Sequence, residues 1–167
     1  IGRTNLPDLG LRVHTDSSLH GLTRNPWHAG RTAGGSSGGE ASAIASGMSP
    51  IGLGNDVGGS LRNPAHCCGI SSIKPTTGRV PFATVIPPED LNIAFQIMVT
   101  DGPMARTIAD VRLGLEIISG AHPSDPRSVN AAWGMDPVGT RVAVMAEVPG
   151  GETDAGIAAS VRRAGDY

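Results

Sequence analysis

Two short loops built almost entirely of glycine and hydroxyl residues, one small-residue segment apart, constrain this chain more than any other feature. The first is Arg31-Thr32-Ala33-Gly34-Gly35-Ser36-Ser37-Gly38-Gly39-Glu40, and the second is Asn55-Asp56-Val57-Gly58-Gly59-Ser60-Leu61-Arg62-Asn63-Pro64. A single glycine-serine cluster is ordinarily a turn or a linker. The second loop changes that reading, because Asp56-Val57-Gly58-Gly59-Ser60 sets consecutive unhindered amides directly before a serine, with a helix-compatible stretch behind it. Backbone N–H groups converging beside a nucleophile form an oxyanion hole, and paired glycines reach the necessary backbone angles without a Cβ in the way. The amides of Val57, Gly58, Gly59 and Ser60 are the candidate donors.

The segments around these loops read as an α/β grammar. Residues 37–48 are small enough for a closely packed helix despite their glycines, with Ser37 at its N-cap and Glu40 as the capping-box partner. Pro50 to Asn55 reads as a short buried strand that delivers the Ser60 loop. Leu61 to Cys68 follows as a helical turn, with Pro64 near its start, where a missing N–H is tolerated. Ile70 to Ile73 is a further strand. Leu91 to Val99 is apolar without a clear period. Arg106-Thr107 opens a helix running to Ser119, with Ile108, Val111, Leu115 and Ile118 on one face and Gly120 ending it. The stretch from His122 to Gly139 is a surface connection. Arg141 to Ala146 is a buried-strand candidate, and 153–164 a helix with Ile157 and Val161 four apart.

Three motifs occur in order: Gly35-Ser36-Ser37-Gly38-Gly39, Gly58-Gly59-Ser60-Leu61-Arg62-Asn63-Pro64 and Ile73-Lys74-Pro75-Thr76-Thr77-Gly78-Arg79. With Gly2-Arg3-Thr4-Asn5-Leu6-Pro7-Asp8 before them and Gly102-Pro103-Met104-Ala105-Arg106 after them, residues 2–120 resemble the amidase-signature hydrolases. The resemblance implies an α/β fold with a mixed β-sheet flanked by helices, present here in part. Residues 1–120 would form the core with the serine motifs, 121–140 a surface connection, and 141–167 the start of a C-terminal part. It also implies hydrolysis of a carboxylic amide through an acyl-serine intermediate, without metal or organic cofactor. Ser60 would be the nucleophile and Ser36, in a cis peptide, the proton relay, with Ser37, Asp56 and Arg62 in support.

A serine hydroxyl attacks only if a neighbour takes its proton. Members of the family use a lysine well upstream of the first serine motif, and this sequence begins too late to contain it, so it is expected to be an internal fragment, inactive alone. Lys74 is the only lysine, and it belongs to a motif that resembles a structural segment. The five histidines, His14, His20, His28, His66 and His122, show no spacing for a metal site or a Ser-His pair. Two rival functions share the pattern: the A-type subunit of a glutamyl-tRNA(Gln) amidotransferase, and a catalytically silent binding module of the same fold.

Composition bounds the rest. With two Trp, two Phe and one Tyr against 24 Gly, the core must be built from Ala, Val, Ile, Leu and Met. A net charge of −2, with acids and bases interspersed, gives no basic stripe for nucleic acid, and no apolar run is long enough to span a membrane. The adjacent Cys67 and Cys68 cannot staple distant segments and read as core residues in a reducing compartment. The expected partner is a small-molecule amide, the expected location cytoplasmic, and a homodimer is allowed.

Overall fold

The computed structural model describes residues 2–83, 92–134, 139 and 141–167. Contacts divide the chain into two units, Ile1–Ala131 and Ala132–Tyr167, a boundary that falls inside the stretch read as a connection. The first unit carries both serine loops. Its elements in chain order are β1 (Asp16–Ser17), β2 (Gly21–Leu22), α1 (Gly38–Ala45), β3 (Ile51–Asp56), α2 (Arg62–Cys68), β4 (Ser71–Ser72), α3 (Ile93–Met98), β5 (Thr100–Ala105) and α4 (Ile108–Ile118).

β3, β5 and β4 form a three-stranded sheet in that order, antiparallel throughout, with Asp56 opposite Thr100 and Ile51 opposite Ala105. β1 and β2 make a separate hairpin. The central strand is β5, whose sequence Thr-Asp-Gly-Pro-Met-Ala carries no strand signal. Its Pro103 is tolerated because β4 pairs only with Ala105 and Met104, so that ladder stops before the missing N–H. β3 delivers the Ser60 loop as expected, but it is an edge strand rather than a buried one, and Leu53 is 59% exposed.

α1 and α2 pack on the sheet around a core of Ala33, Ala41, Ile44, Leu61, Ala65, Cys68 and Met104. No aromatic ring enters it, and small size is what permits the contacts. A Cβ on Gly39 would stand 2.2 Å from the Asn5 carbonyl oxygen, and one on Gly54 would stand 2.5 Å from Ser37 Oγ. α2 ends at Gly69 in the left-handed conformation (φ 67°). Cys68 is buried and Cys67 half-buried; burial pushes both thiols up, Cys68 to about 11 with the neighbouring sulfur adding to it. Both behave as packing groups.

α4 is capped by Thr107 Oγ1, which accepts from the Asp110 N–H at 3.2 Å. Its buried line is Val111, Gly114 and Leu115, whereas Ile108 is 68% exposed. The absent side chain of Gly114 sets this line, since a Cβ there would meet Ile51 Cδ1 at 2.7 Å. The apolar stretch before β5 is the helix α3, with Asn92 accepting from the Phe95 N–H. Pro87-Pro88-Glu89-Asp90 lies outside the described residues.

In the second unit, α5 (Ala155–Gly165) is capped by Asp154, which accepts from the Gly156 and Ile157 N–H groups. Residues 141–146 form no strand, contrary to the sequence reading, and Val142, Val144 and Met145 are exposed. A strand needs a partner ladder, and none is present among the described residues. No helix among the described residues is long and apolar enough to cross a membrane.

Candidate active site

Asp56, the last residue of β3, organises the turn that bears Ser60. Its carboxylate is fully buried and accepts from the Gly59 N–H at 2.7 Å, the Leu61 N–H at 3.1 Å and the Arg62 N–H at 3.4 Å. Arg62 adds two bonds at 3.0 Å, from Nε and Nη2, while its own side chain stays 57% exposed. Burial alone would raise the Asp56 pKa, but the guanidinium and the three amides outweigh it and hold the carboxyl below its ordinary value. The ion pair anticipated between these residues is therefore a scaffold folded under the Ser60 loop. One consequence alters the expected oxyanion hole. The Gly59 N–H is committed to Asp56, which leaves the amides of Val57, Gly58 and Ser60 as the turn's donors.

The first serine loop is held from a distance. Thr15, buried between the hairpin and α1, donates its hydroxyl to the carbonyls of Gly34 and Ser36 at 3.0 and 3.1 Å and accepts from the Gly38 N–H at 3.0 Å. Thr15 thus occupies the capping position over α1. Ser37 stands at the N-cap residue but makes no side-chain cap bond, and Glu40 accepts from Thr4 Oγ1 at 2.8 Å rather than closing a capping box. The Ser37 backbone is not in the extended conformation a cap requires (ψ 33°).

Two bonds join the loops to each other. Asn63 Oδ1 accepts from the Gly35 N–H at 3.0 Å, and the Ser60 carbonyl accepts from the Ser37 N–H at 3.3 Å. Thr15 did not stand out in the sequence, since a lone threonine carries no spacing signal, and Asn63 stood there only as one member of the second motif. The peptide between Gly35 and Ser36 is cis.

Ser36 and Ser60 come together in one cleft of 350 Å³, lined also by Asn55, Val57 and Gly58. Ser36 is 4% exposed, and neither serine hydroxyl has a hydrogen-bond partner among the described residues. A second cleft of 280 Å³ lies on the other side of Ser36 and includes Ser37, Glu40 and Asp101. The Asp101 carboxyl has no bonding partner among the described residues, and burial pushes it up to about 6. Lys74 lines neither cleft, and all five histidines are exposed. The Lys74 motif instead fastens the chain beyond α4: Val129 N–H bonds the Gly78 carbonyl, and Arg79 Nη1 bonds the Ala131 carbonyl. Among the described residues no His, Cys, Asp or Glu cluster fits a metal ion.

A family model described as Amidase matches residues 1–166. The chain is 46% identical over its whole length to an indoleacetamide hydrolase from Bradyrhizobium diazoefficiens. It is 41% identical over 92% of its length to the A-type subunit of a glutamyl-tRNA(Gln) amidotransferase from Deinococcus radiodurans. It spans 32% of the length of each relative. A solved 6-aminohexanoate cyclic dimer hydrolase in complex with substrate superposes with a TM-score of 0.71 at 38% identity, over 80% of this chain and 27% of that one. By sequence motif, fold and site alike, the chain belongs to the amidase-signature family.

Proposed function

We propose that the protein hydrolyses the C–N bond of a small carboxylic amide, with Ser60 as nucleophile and Ser36 as proton relay. The observation that carries this reading is the meeting of two unpartnered serine hydroxyls, distant in sequence, in one cleft. Ser60 Oγ attacks the carbonyl carbon and passes its proton toward Ser36. The amides of Val57, Gly58 and Ser60 stabilise the oxyanion, where each lost donor typically costs about 2.7–4 kcal/mol of barrier. The C–N bond breaks, the departing ammonia or amine takes up the proton, and water then releases the acid from the Ser60 ester. The family resemblance implies a lysine as the base that draws the proton from Ser36, and Lys74 lines neither cleft.

In this reading residues 1–120 are the core that bears the serine loops, 121–140 connect, and 141–167 open a further part. The substrate is a small molecule, nucleic acid is not contacted directly, the location is cytoplasmic and a homodimer is compatible. Ammonia release from a panel of carboxamides by the native protein tests the activity. Turnover is expected to vanish in Ser60→Ala, fall severely in Ser36→Ala and fall less in Ser37→Ala. Hydrolysis retained by Ser60→Ala removes the assignment. The similarity to the amidotransferase supports a second reading, in which ammonia passes to a partner; co-purification of a B-type subunit from the native source distinguishes it.

A further inference from the structure

Asn63 lies in the first turn of α2, just beyond Ser60, and its backbone N–H donates to the Gly59 carbonyl at 2.7 Å. Gly59 is itself held by Asp56 through its own N–H. The main chain thus fixes Asn63 to the Ser60 turn. Its side chain reaches the other way, where Oδ1 accepts from the Gly35 N–H at 3.0 Å. A backbone N–H can only donate, so the amide oxygen is the atom that must face it. Among the described residues this is the only side-chain hydrogen bond between the two serine loops.

The Gly34 carbonyl and the Gly35 N–H belong to one peptide group, and both of its polar atoms are taken. Thr15 Oγ1 donates to the carbonyl from the hairpin side, and Asn63 accepts from the N–H on the α2 side. The approach is close as well, since a Cβ on Gly34 would stand 2.7 Å from Asn63 Oδ1 and 2.7 Å from Pro64 Cα. Ser36 therefore follows directly on a peptide gripped from two sides. Thr15 ties that peptide to the hairpin, and the Asn63 bond alone ties it to the helix that follows Ser60.

We propose that Asn63 is a positioning residue for the proton relay: by holding the peptide before Ser36 against α2, it sets the Ser36 hydroxyl relative to Ser60 and the departing amine. The proposal rests on the reading of Ser60 as nucleophile and Ser36 as relay. An amine leaves the tetrahedral intermediate only once its nitrogen has taken a proton, whereas p-nitrophenolate leaves without one. A displaced relay therefore harms an amide more than an activated ester, while a general loosening of the site harms both alike. The test is kcat/KM of the native protein, Asn63→Leu and Asn63→Asp on two substrates: the carboxamide of the panel turned over fastest, and the p-nitrophenyl ester of the same acid. Leucine keeps the approximate size and removes the acceptor, and aspartate keeps an oxygen for the Gly35 N–H. Asn63→Leu should lose about tenfold or more on the amide beyond its loss on the ester, and Asn63→Asp should keep the amide-to-ester ratio within about twofold. Asn63→Ala, measured the same way and with the same expectation, takes the place of the leucine variant if that one does not fold. An equal loss on both substrates, an unchanged ratio in Asn63→Leu, or a ratio that falls as far in Asn63→Asp overturns the role of Asn63 while the amidase reading stands. No hydrolysis of any amide by the native protein overturns both.

Discussion

At the residue scale, the site rests on a buried charge made tolerable by five N–H donors. Asp56 holds the Ser60 turn by accepting from Gly59, Leu61 and the backbone and side chain of Arg62. Because its carboxyl is held below the ordinary value, its contribution to stability is fully present above the unfolded pKa of about 3.9 and is lost as pH falls through the lower folded value. Asp56→Asn should cost about 1–3 kcal/mol at pH 7, by denaturant unfolding of the native protein, and the difference should shrink below about pH 4. Asp101 has the opposite sign. Its carboxyl is raised to about 6 by burial without a partner, so the charged form opposes folding at neutral pH and the penalty disappears as pH falls through that value. Asp101→Asn should therefore stabilise the protein at pH 8 by about 1–2 kcal/mol, discounted for partial exposure, and leave it unchanged near pH 4. A stabilisation that persists at pH 4 contradicts this account.

At the scale of elements, the caps and turns were legible and the long-range ties were not. Thr107 and Pro64 act through neighbours a few residues away, so their sequence signals survive into the structure. β5 was opaque, because a central strand reading Thr-Asp-Gly-Pro-Met-Ala has neither alternation nor a run of β-branched residues to mark it. Its place follows from two partners it meets only after the chain folds. The capping box at Ser37 failed for a related reason: the Ser37 N–H is given to the Ser60 carbonyl and Glu40 accepts from Thr4 Oγ1, both partners distant in sequence. The structure makes Thr15 a joint between the hairpin, the Gly34–Ser36 loop and α1. Thr15→Val, nearly the same shape without the hydroxyl, should cost about 1–2 kcal/mol in stability. It should also lower kcat on a good amide substrate more than it changes KM, since the peptide that carries Ser36 loses an anchor. An unchanged kcat separates the hydroxyl from the positioning of Ser36.

At the scale of the molecule, the two serine loops were more legible than the frame that carries them. Paired glycines around serine permit close backbone approach in two loops at once, and the two loops bond each other. The frame obeys the composition too, with a core of alanine, leucine, isoleucine, cysteine and methionine and no ring within it. The buried strand expected at 141–146 lacks a partner among the described residues and remains exposed, because apolar alternation gives a segment only the capacity to pair. What unites the observations is the claim that the chain brings one activated serine to an amide carbonyl. Treatment of the native protein with a serine-directed fluorophosphonate, followed by mass mapping of the modified peptide, tests this most directly. The account predicts a single adduct on Ser60, abolished in Ser60→Ala and strongly slowed in Ser36→Ala. An adduct on another residue, or an unmodified protein that still hydrolyses amides, contradicts it.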